Sequence, residues 1–274
     1  MSAQIFSPIA TPRFRQPLAV LAVAILLLIL WQAARLIFAL PAYKLPDPLL
    51  ILTGFFDPTP RGVPVFLSLG YDMLVTWSEA ILGFTMGVLA GIAFAILFVR
   101  FNALERGLLP YLIASQTVPI LAVAPLVVVG VGQLGAPPLF AKAIVAAYLT
   151  FFAVTVNTLR GFKSIDQDAI DLMRSYAATD REVYLKLRFP ASLPYLFTAL
   201  KISATSSVIG AIVAELPVGS SEGLGSAIIN GAQYNTFQPA YLWATIIAAA
   251  ILGLVFYGVI ALIERRMVKW KKEE

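Results

Sequence analysis

The sequence predicts an all-α, polytopic membrane protein with about six transmembrane helices, and three observations predict it. Its 274 residues are 59% hydrophobic and only 13% charged, whereas a soluble globular chain carries roughly 25% charged residues. Six apolar runs, at about 18–40, 72–99, 108–131, 138–160, 196–217 and 240–263, can each cross a hydrocarbon core of about 30 Å at a rise of 1.5 Å per residue. The cations alternate with those runs. Arg13, Arg15, Arg100, Arg106, the six between Arg160 and Arg188, and the five from Arg265 to Lys272 fall on one face, against Lys44 and Arg61 on the other. Loops on the cytoplasmic side carry the excess of Lys and Arg, so both termini are expected in the cytoplasm.

The same composition sets the domain organisation. Residues 1–17 read as a cytoplasmic N-terminus, 18–265 as the transmembrane domain with a cytoplasmic loop at 164–194, and 266–274 as a basic tail. The first apolar run exceeds the 7–15 residues of a signal-peptide core and is taken as a retained span. The net charge of +5 could suggest nucleic acid, but the cations flank apolar runs rather than forming basic stripes with aromatics. With no Cys and no His, thiolate chemistry, imidazole bases and the usual zinc or haem ligands are unavailable, so no metal site is expected.

Taken in order, the spans differ in what they carry. The second holds Gly83, Gly87 and Gly91, one glycine every fourth residue on one helix face, which admits another backbone at close range; packing and a wall of a pathway both fit. The third contains Pro110, Pro119 and Pro125, followed by Gly130, Gly132, Gly135 and Pro137-Pro138. Each internal proline frees a carbonyl, tolerated in lipid only where protein or water satisfies it, which places this span near a path. Polar residues within spans are few: Glu79, Gln116, Lys142, Asn157 and Glu215. A charge at mid-bilayer costs about 2.5–3.5 kcal/mol on insertion scales. Glu79, Lys142 and Glu215 all fall in the outer parts of their helices and can therefore form a paired cluster, structural or gating, while Gln116 is a candidate path-lining donor. External segments 41–70 and 218–239 are rich in turn residues, and the second has no Lys or Arg.

The loop from Ser164 to Pro190 is the most informative segment. Ser164 with Gln167, and Thr179 with Glu182, match the capping-box spacing, announcing two short helices. Ile170, Met173 and Ala177 share a face of the first, and Val183 and Leu187 a face of the second. With Arg160 and Lys163 at its entry, six cations against five carboxylates leave the loop nearly neutral. A half-apolar, nearly neutral helical hairpin suits docking to protein better than to lipid head groups.

Asp171-Leu-Met, Ala177, and Arg188-Phe-Pro190 with Ala191-Ser-Leu-Pro194 resemble the signature of ABC importer permease subunits: Glu-Ala-Ala, a later glycine, then a proline before the next span. Thr117-Val-Pro-Ile-Leu-Ala-Val-Ala-Pro125, Ile209-Gly-Ala-Ile-Val-Ala-Glu215 and Gly223-Leu-Gly225 extend the resemblance over most of residues 70–265. They look like the nitrate/sulfonate/taurine branch, and Lys186-Leu-Arg-Phe-Pro190 with Ile263-Glu-Arg265 is similar to its thiamine-precursor pyrimidine or riboflavin permeases. Two positions depart from the signature: Asp171 replaces Glu, and Ala177 replaces the glycine. Because alanine disfavours positive φ, the turn is expected to move to Ala178-Thr179, or the first helix to run longer.

The resemblance implies a type I ABC importer permease fold and a function without catalysis in this chain. A second copy or paralogue would complete the pathway, a periplasmic binding protein would deliver a small solute, and an ATPase dimer would hold ATP and Mg, leaving this chain without a cofactor. It assigns ATPase coupling to Asp171, Ser175, Tyr176, Ala177, Ala178, Thr179, Asp180, Arg181 and Pro190, and leaves Glu79, Gln116, Pro119, Lys142 and Glu215 as candidate pathway or gating residues. Gly-Lys occurs nowhere, so no Gly-x4-Gly-Lys-Ser/Thr phosphate loop exists here. The bacterial inner membrane is the expected location. The alternative is a proton- or sodium-driven secondary transporter using Glu79 and Glu215; an intramembrane enzyme lacks its usual dyads.

Overall fold

The computed structural model describes residues 15–59, 62–216 and 222–268. The expected N-terminal segment and basic tail fall largely outside them, as do Arg13, Arg61, Lys269, Lys271, Lys272 and the first residues of the turn-rich stretch after Glu215, 217–221. The described residues form α1 (Arg15–Ile37), α2 (Pro48–Gly54), α3 (Val65–Arg100), α4 (Asn102–Ser115), α5 (Ile120–Gln133) and α6 (Pro138–Lys163). There follow α7 (Gln167–Ser175), α8 (Asp180–Val183), a π-helical turn (Tyr184–Arg188), α9 (Phe189–Glu215), α10 (Leu224–Gln233) and α11 (Pro239–Met267). Among the described residues, five segments are single apolar helices long enough to cross a membrane, and α4 with α5, bent by 101°, is a sixth candidate if the pair is one span.

The bundle is built around α3, α6 and α9. Gly83, Gly87 and Gly91 meet Ala146, Thr150 and Val154 in the same order, so α3 and α6 run parallel. Gly161 lies against Ser192 and Gly210 against Ala146, so α9 runs antiparallel to α6. In lipid, where burial of apolar side chains against one another brings little, small residues that let backbones approach supply the packing. The fully buried Ala80, Ala204, Ala211, Ala244, Thr76, Ser203 and Ser207 are of this kind. On the outer flank, Lys201 pairs with Glu264 at 2.6 Å and ties α9 to α11. Trp31 stacks edge-on to Trp243 at 4.8 Å, bringing the end of α1 to the start of α11. Asp47 joins α1 to α2, because the Leu49 N–H, the Gln32 amide and the Arg35 guanidinium all donate to its carboxylate. Those donors hold its carboxyl below the usual carboxylate range, the Leu49 N–H foremost.

These contacts fix the course of the chain. At one end Arg100 pairs with Asp180 and Lys163 with Glu105. At the other, α5 packs Val128 against Ala141 and Val145 near the start of α6. Arg15 and Met267, the first and last helical residues, therefore lie at the end that carries Arg100 and Lys163.

Three expectations are corrected. The third span, read as one helix over 108–131, is two helices, because Pro119 has no N–H to continue α4 and instead caps α5. Pro110 and Pro125 sit within α4 and α5 without breaking them. The Ser164 capping box does not form: Ser164 ends α6, with its hydroxyl donating to the Gly161 carbonyl, and Asp166 caps α7 through the Asp168 N–H. Finally, the second short helix is the first turn of a helix running from Asp180 to Glu215. Pro190 cannot donate to the Lys186 carbonyl, and just before it the ladder shifts register, the Phe189 N–H donating to Tyr184.

Candidate functional site

Three constellations sit on this frame, one at each end of the bundle and one at the break between α4 and α5.

The loop end is a helix–turn–helix. Asp171 accepts from the Gln167 amide and lies 3.7 Å from Arg174 on the exposed side of α7. After Ser175 and Tyr176 the chain turns at Ala177 itself, with φ +54°. The Ala177 N–H donates to the Arg174 carbonyl and the Ala178 N–H to Met173, the paired bonds of a Schellman cap. The expected migration of the turn to Ala178-Thr179 does not occur, because two otherwise orphaned carbonyls are satisfied only with this residue left-handed. Thr179 then forms the predicted capping box, its Oγ1 accepting from the Glu182 N–H while Glu182 accepts from the Thr179 N–H. Asp180 faces Arg100, and Arg181 is exposed.

The apolar face of this loop also differs from the periodicity reading. Ile170 and Val183 are buried, and Ala177 is exposed. The large apolar side chains that the loop leaves exposed include Leu172, Tyr176 and Leu185, at 58%, 80% and 57%. Sequence reasoning missed Leu172, since the helical pattern alone does not say which stripe the rest of the bundle will cover.

A left-handed alanine costs roughly 1–2 kcal/mol relative to glycine. Ala177→Gly should therefore stabilise the loop by about 1 kcal/mol, read as slower amide exchange over 171–183 in the detergent-solubilised protein. Unchanged exchange would mean that the turn carries no such strain.

At the opposite end lies a buried polar cluster. The Lys142 Nζ is 2.8 Å from Glu79 Oε1, with side-chain exposures of 7% and 2%. Glu215 lies in the same cluster, its side chain against that of Glu79. Its Oε1 accepts from the Thr76 hydroxyl at 2.7 Å, and its Oε2 accepts from the Gly225 N–H at 2.6 Å. Thr76 and Glu79, one turn apart on α3, place these two arrangements side by side. The Leu224 N–H donates to Thr76 Oγ1, and the Gly223 N–H to Asp72 Oδ1, each at 2.9 Å. Three successive donors opening α10 are thus satisfied by side chains of α3 and α9, because its N-cap, Gly223, has none of its own.

The glycines are required by the same contacts. Gly223 has φ +96°, and a Cβ there would fall on the Glu215 carboxylate; a Cβ at Gly225 would strike Glu215 and the Ile212 carbonyl. Asp72 and Thr76 were not singled out from the sequence. Gly223-Leu-Gly225 entered the sequence reading only as part of the family resemblance.

At the break between α4 and α5 the freed backbone is partly satisfied. Tyr148 from α6 donates its hydroxyl to the Ser115 carbonyl at 2.6 Å, and the Thr117 hydroxyl donates to Ala114. Gln116 ends α4, and its amide nitrogen is buried without a hydrogen-bond partner. Pro119 is exposed. Beyond the break α5 turns Ala124 and Val128 inward while Leu121, Leu126 and Val129 remain exposed.

Comparison with known proteins identifies the assembly to which such a chain belongs. The family described as the binding-protein-dependent transport system inner membrane component matches residues 83–269. The formylaminopyrimidine transport permease protein ThiX of Halalkalibacterium halodurans is 30% identical over 251 residues, covering 91% of this chain and 94% of ThiX. The riboflavin transport system permease protein RibX of Chloroflexus aurantiacus is 31% identical over 260 residues, 94% of this chain and 92% of RibX. Among solved structures, an inward-facing MetNI methionine ABC transporter chain superposes with a TM-score of 0.60 at 16% identity, covering 76% of this chain and 98% of that one. An amino acid ABC transporter chain gives 0.56 at 24% identity, over 74% and 94%. None of these supports a proton- or sodium-driven carrier. The fold is that of type I importer permeases, and the chain belongs to the binding-protein-dependent permease family, a membrane subunit of an ABC importer whose ATP is hydrolysed by a separate subunit.

Proposed function

We propose that this permease lines half of a translocation path for a small heteroaromatic solute, and that it takes its power stroke through the loop between α6 and α9. The observation carrying the reading is the rigid turn at Ala177. It presents Leu172 and Tyr176 on a nearly neutral surface, fixed by two capping motifs and by the Arg100–Asp180 and Lys163–Glu105 pairs. An apolar, well-ordered knob of this kind fits a groove on an ATPase subunit. Ser175, Tyr176, Ala178, Thr179 and Arg181 make the contact, Asp171 steadies α7, and Pro190 sets the register of the exit. The cation-rich end with both termini is then cytoplasmic, in the bacterial inner membrane.

The exposed stripe of α5 faces a second permease, identical or paralogous, with Gln116 and Pro119 beside the path between them. ThiX and RibX support a pyrimidine or similar aromatic solute, delivered by a periplasmic binding protein. A path with few donors suits such a solute better than a polyanion.

The test is a pull-down of the tagged chain from mild detergent together with its ATPase. The parent should bring down ATPase in equal ratio, and Ala178→Glu should lose at least nine-tenths of it while inserting normally. Undiminished ATPase recovery with Ala178→Glu, or a lone parent chain that moves solute without ATP, would overturn the docking role.

A further inference from the structure

The helix from Asp180 to Glu215 has the docking loop at one end and the capping of α10 at the other. At 1.5 Å per residue its 36 residues reach roughly 54 Å, across the whole membrane. It is backed along its length by α6, through Gly161 against Ser192 and Ala146 against Gly210. A push on the loop therefore emerges at Glu215 as a displacement of the outer end.

What happens there depends on how α10 is held. An ordinary helix caps its first N–H groups with its own N-cap side chain and would be free to stay behind. Here the donors close a ring through three helices. Leu224 donates to Thr76, Thr76 donates to Glu215, and Glu215 also accepts from Gly225, all within a fully buried site. Thr76 and Glu215 are both buried, so the loss of either partner leaves buried polar groups unsatisfied. Asp72 adds a fourth link from α3 to the Gly223 N–H.

We propose that Thr76 and Glu215 are positioning residues that lock the outer ends of α3, α9 and α10 into one body. Movement delivered along α9 then carries α10 with it and opens or closes the outer mouth of the path. The inference rests on the reading that the loop docks on the ATPase. Beside Glu215, Glu79 and Lys142 tie α3 to α6 and brace this body against the bundle.

Spin-label distances in the complete importer, in lipid, test it. The chain has no cysteine, so the pairs Leu74→Cys with Gln233→Cys and Leu134→Cys with Gln233→Cys can be introduced without background. Each is diluted into unlabelled permease, with and without ATP and vanadate. The first pair, on α3 and α10, should give one narrow distance in both states. The second, from the end of α5 to α10, should shift with nucleotide. Thr76→Val and Glu215→Gln should broaden the first distance and abolish the nucleotide shift of the second, while ATPase recovery and ATP hydrolysis stay within twofold of the parent. Thr76→Ser, which keeps the hydroxyl, should restore both distances, a rescue that a merely space-filling residue would not show.

A first distance that changes with nucleotide in the parent would overturn the single body. So would a second distance that never shifts in a parent complex holding its ATPase, or that shifts equally in Thr76→Val. Failure of the docking reading has a different signature, because ATPase would then remain bound and the second distance would still shift in Ala178→Glu.

Discussion

Lys142→Met should cost about 3–5 kcal/mol of stability, and adding Glu79→Gln should recover most of it. The two groups are 2.8 Å apart, and little of either side chain reaches the surface. Their mutual attraction offsets the loss of hydration only while both are present. Removing the ammonium leaves the Glu79 carboxyl in the interior without its cation, the costly half of breaking a buried pair. Replacing both with uncharged residues of similar size removes the penalty and the attraction together. Melting of the four proteins of this double-mutant cycle in one detergent gives the coupling energy directly. If Lys142→Met melts with the parent, the pair is solvated in the assembled protein and the cluster carries no structural weight.

The second large effect is steric. Gly87→Val should prevent α3 and α6 from packing, with loss of folded protein, whereas Gly258→Ala should be neutral or stabilising by up to about 1 kcal/mol. A Cβ at Gly87 would lie 2.6 Å from both the Ala147 carbonyl oxygen and Thr150 Cβ. The first of these is backbone of a parallel helix that α9 presses from its other side, so it cannot retreat. Overpacking of a well-filled interface typically costs 1–3 kcal/mol and more where backbone must move. Gly83 is as tight, with Ala143 O and Ala146 Cβ each at 2.5 Å. Gly91 is slightly looser, with Val154 Cβ and Cγ1 at 2.8–2.9 Å and the Phe151 carbonyl oxygen at 3.0 Å, so its alanine variant should be the mildest of the three. Gly258 has nothing within 4 Å of its Cβ position and serves as the control. Monodispersity of each variant after extraction is the readout; a folded, monodisperse Gly87→Val would mean that α3 and α6 can separate without penalty.

Much of the architecture was legible in the residues alone because a membrane imposes one-dimensional rules. Length and apolarity select crossings, cations label the side, and a four-residue glycine repeat can mark a backbone contact whichever helix supplies it. Thr179 with Glu182 was equally readable, since a capping box is formed within four residues. Ser164 with Gln167 has the same spacing and failed, because α6 runs on to Lys163 and uses Ser164 as its end. Nearest-neighbour chemistry could not weigh a long helix against a short one.

Tertiary structure decided the rest wherever partners are far apart in the chain. Thr76 and Glu215, 139 residues apart, meet only because α3 and α9 are brought together around α6. The left-handed conformation of Ala177 contradicts its local preference and persists because the Arg174 and Met173 carbonyls need donors. The break at Pro119 is tolerated with Tyr148 of α6 placed to bond the Ser115 carbonyl. By itself the sequence determined that this is an all-α membrane protein of about six apolar crossings with one helical loop, through local rules of hydropathy, charge and capping, while its motifs carried the resemblance to a permease. The outer ring and the true exposed face of that loop depend on which surfaces the other helices cover, and hydrogen-bond satisfaction across helices is a property of the folded bundle alone.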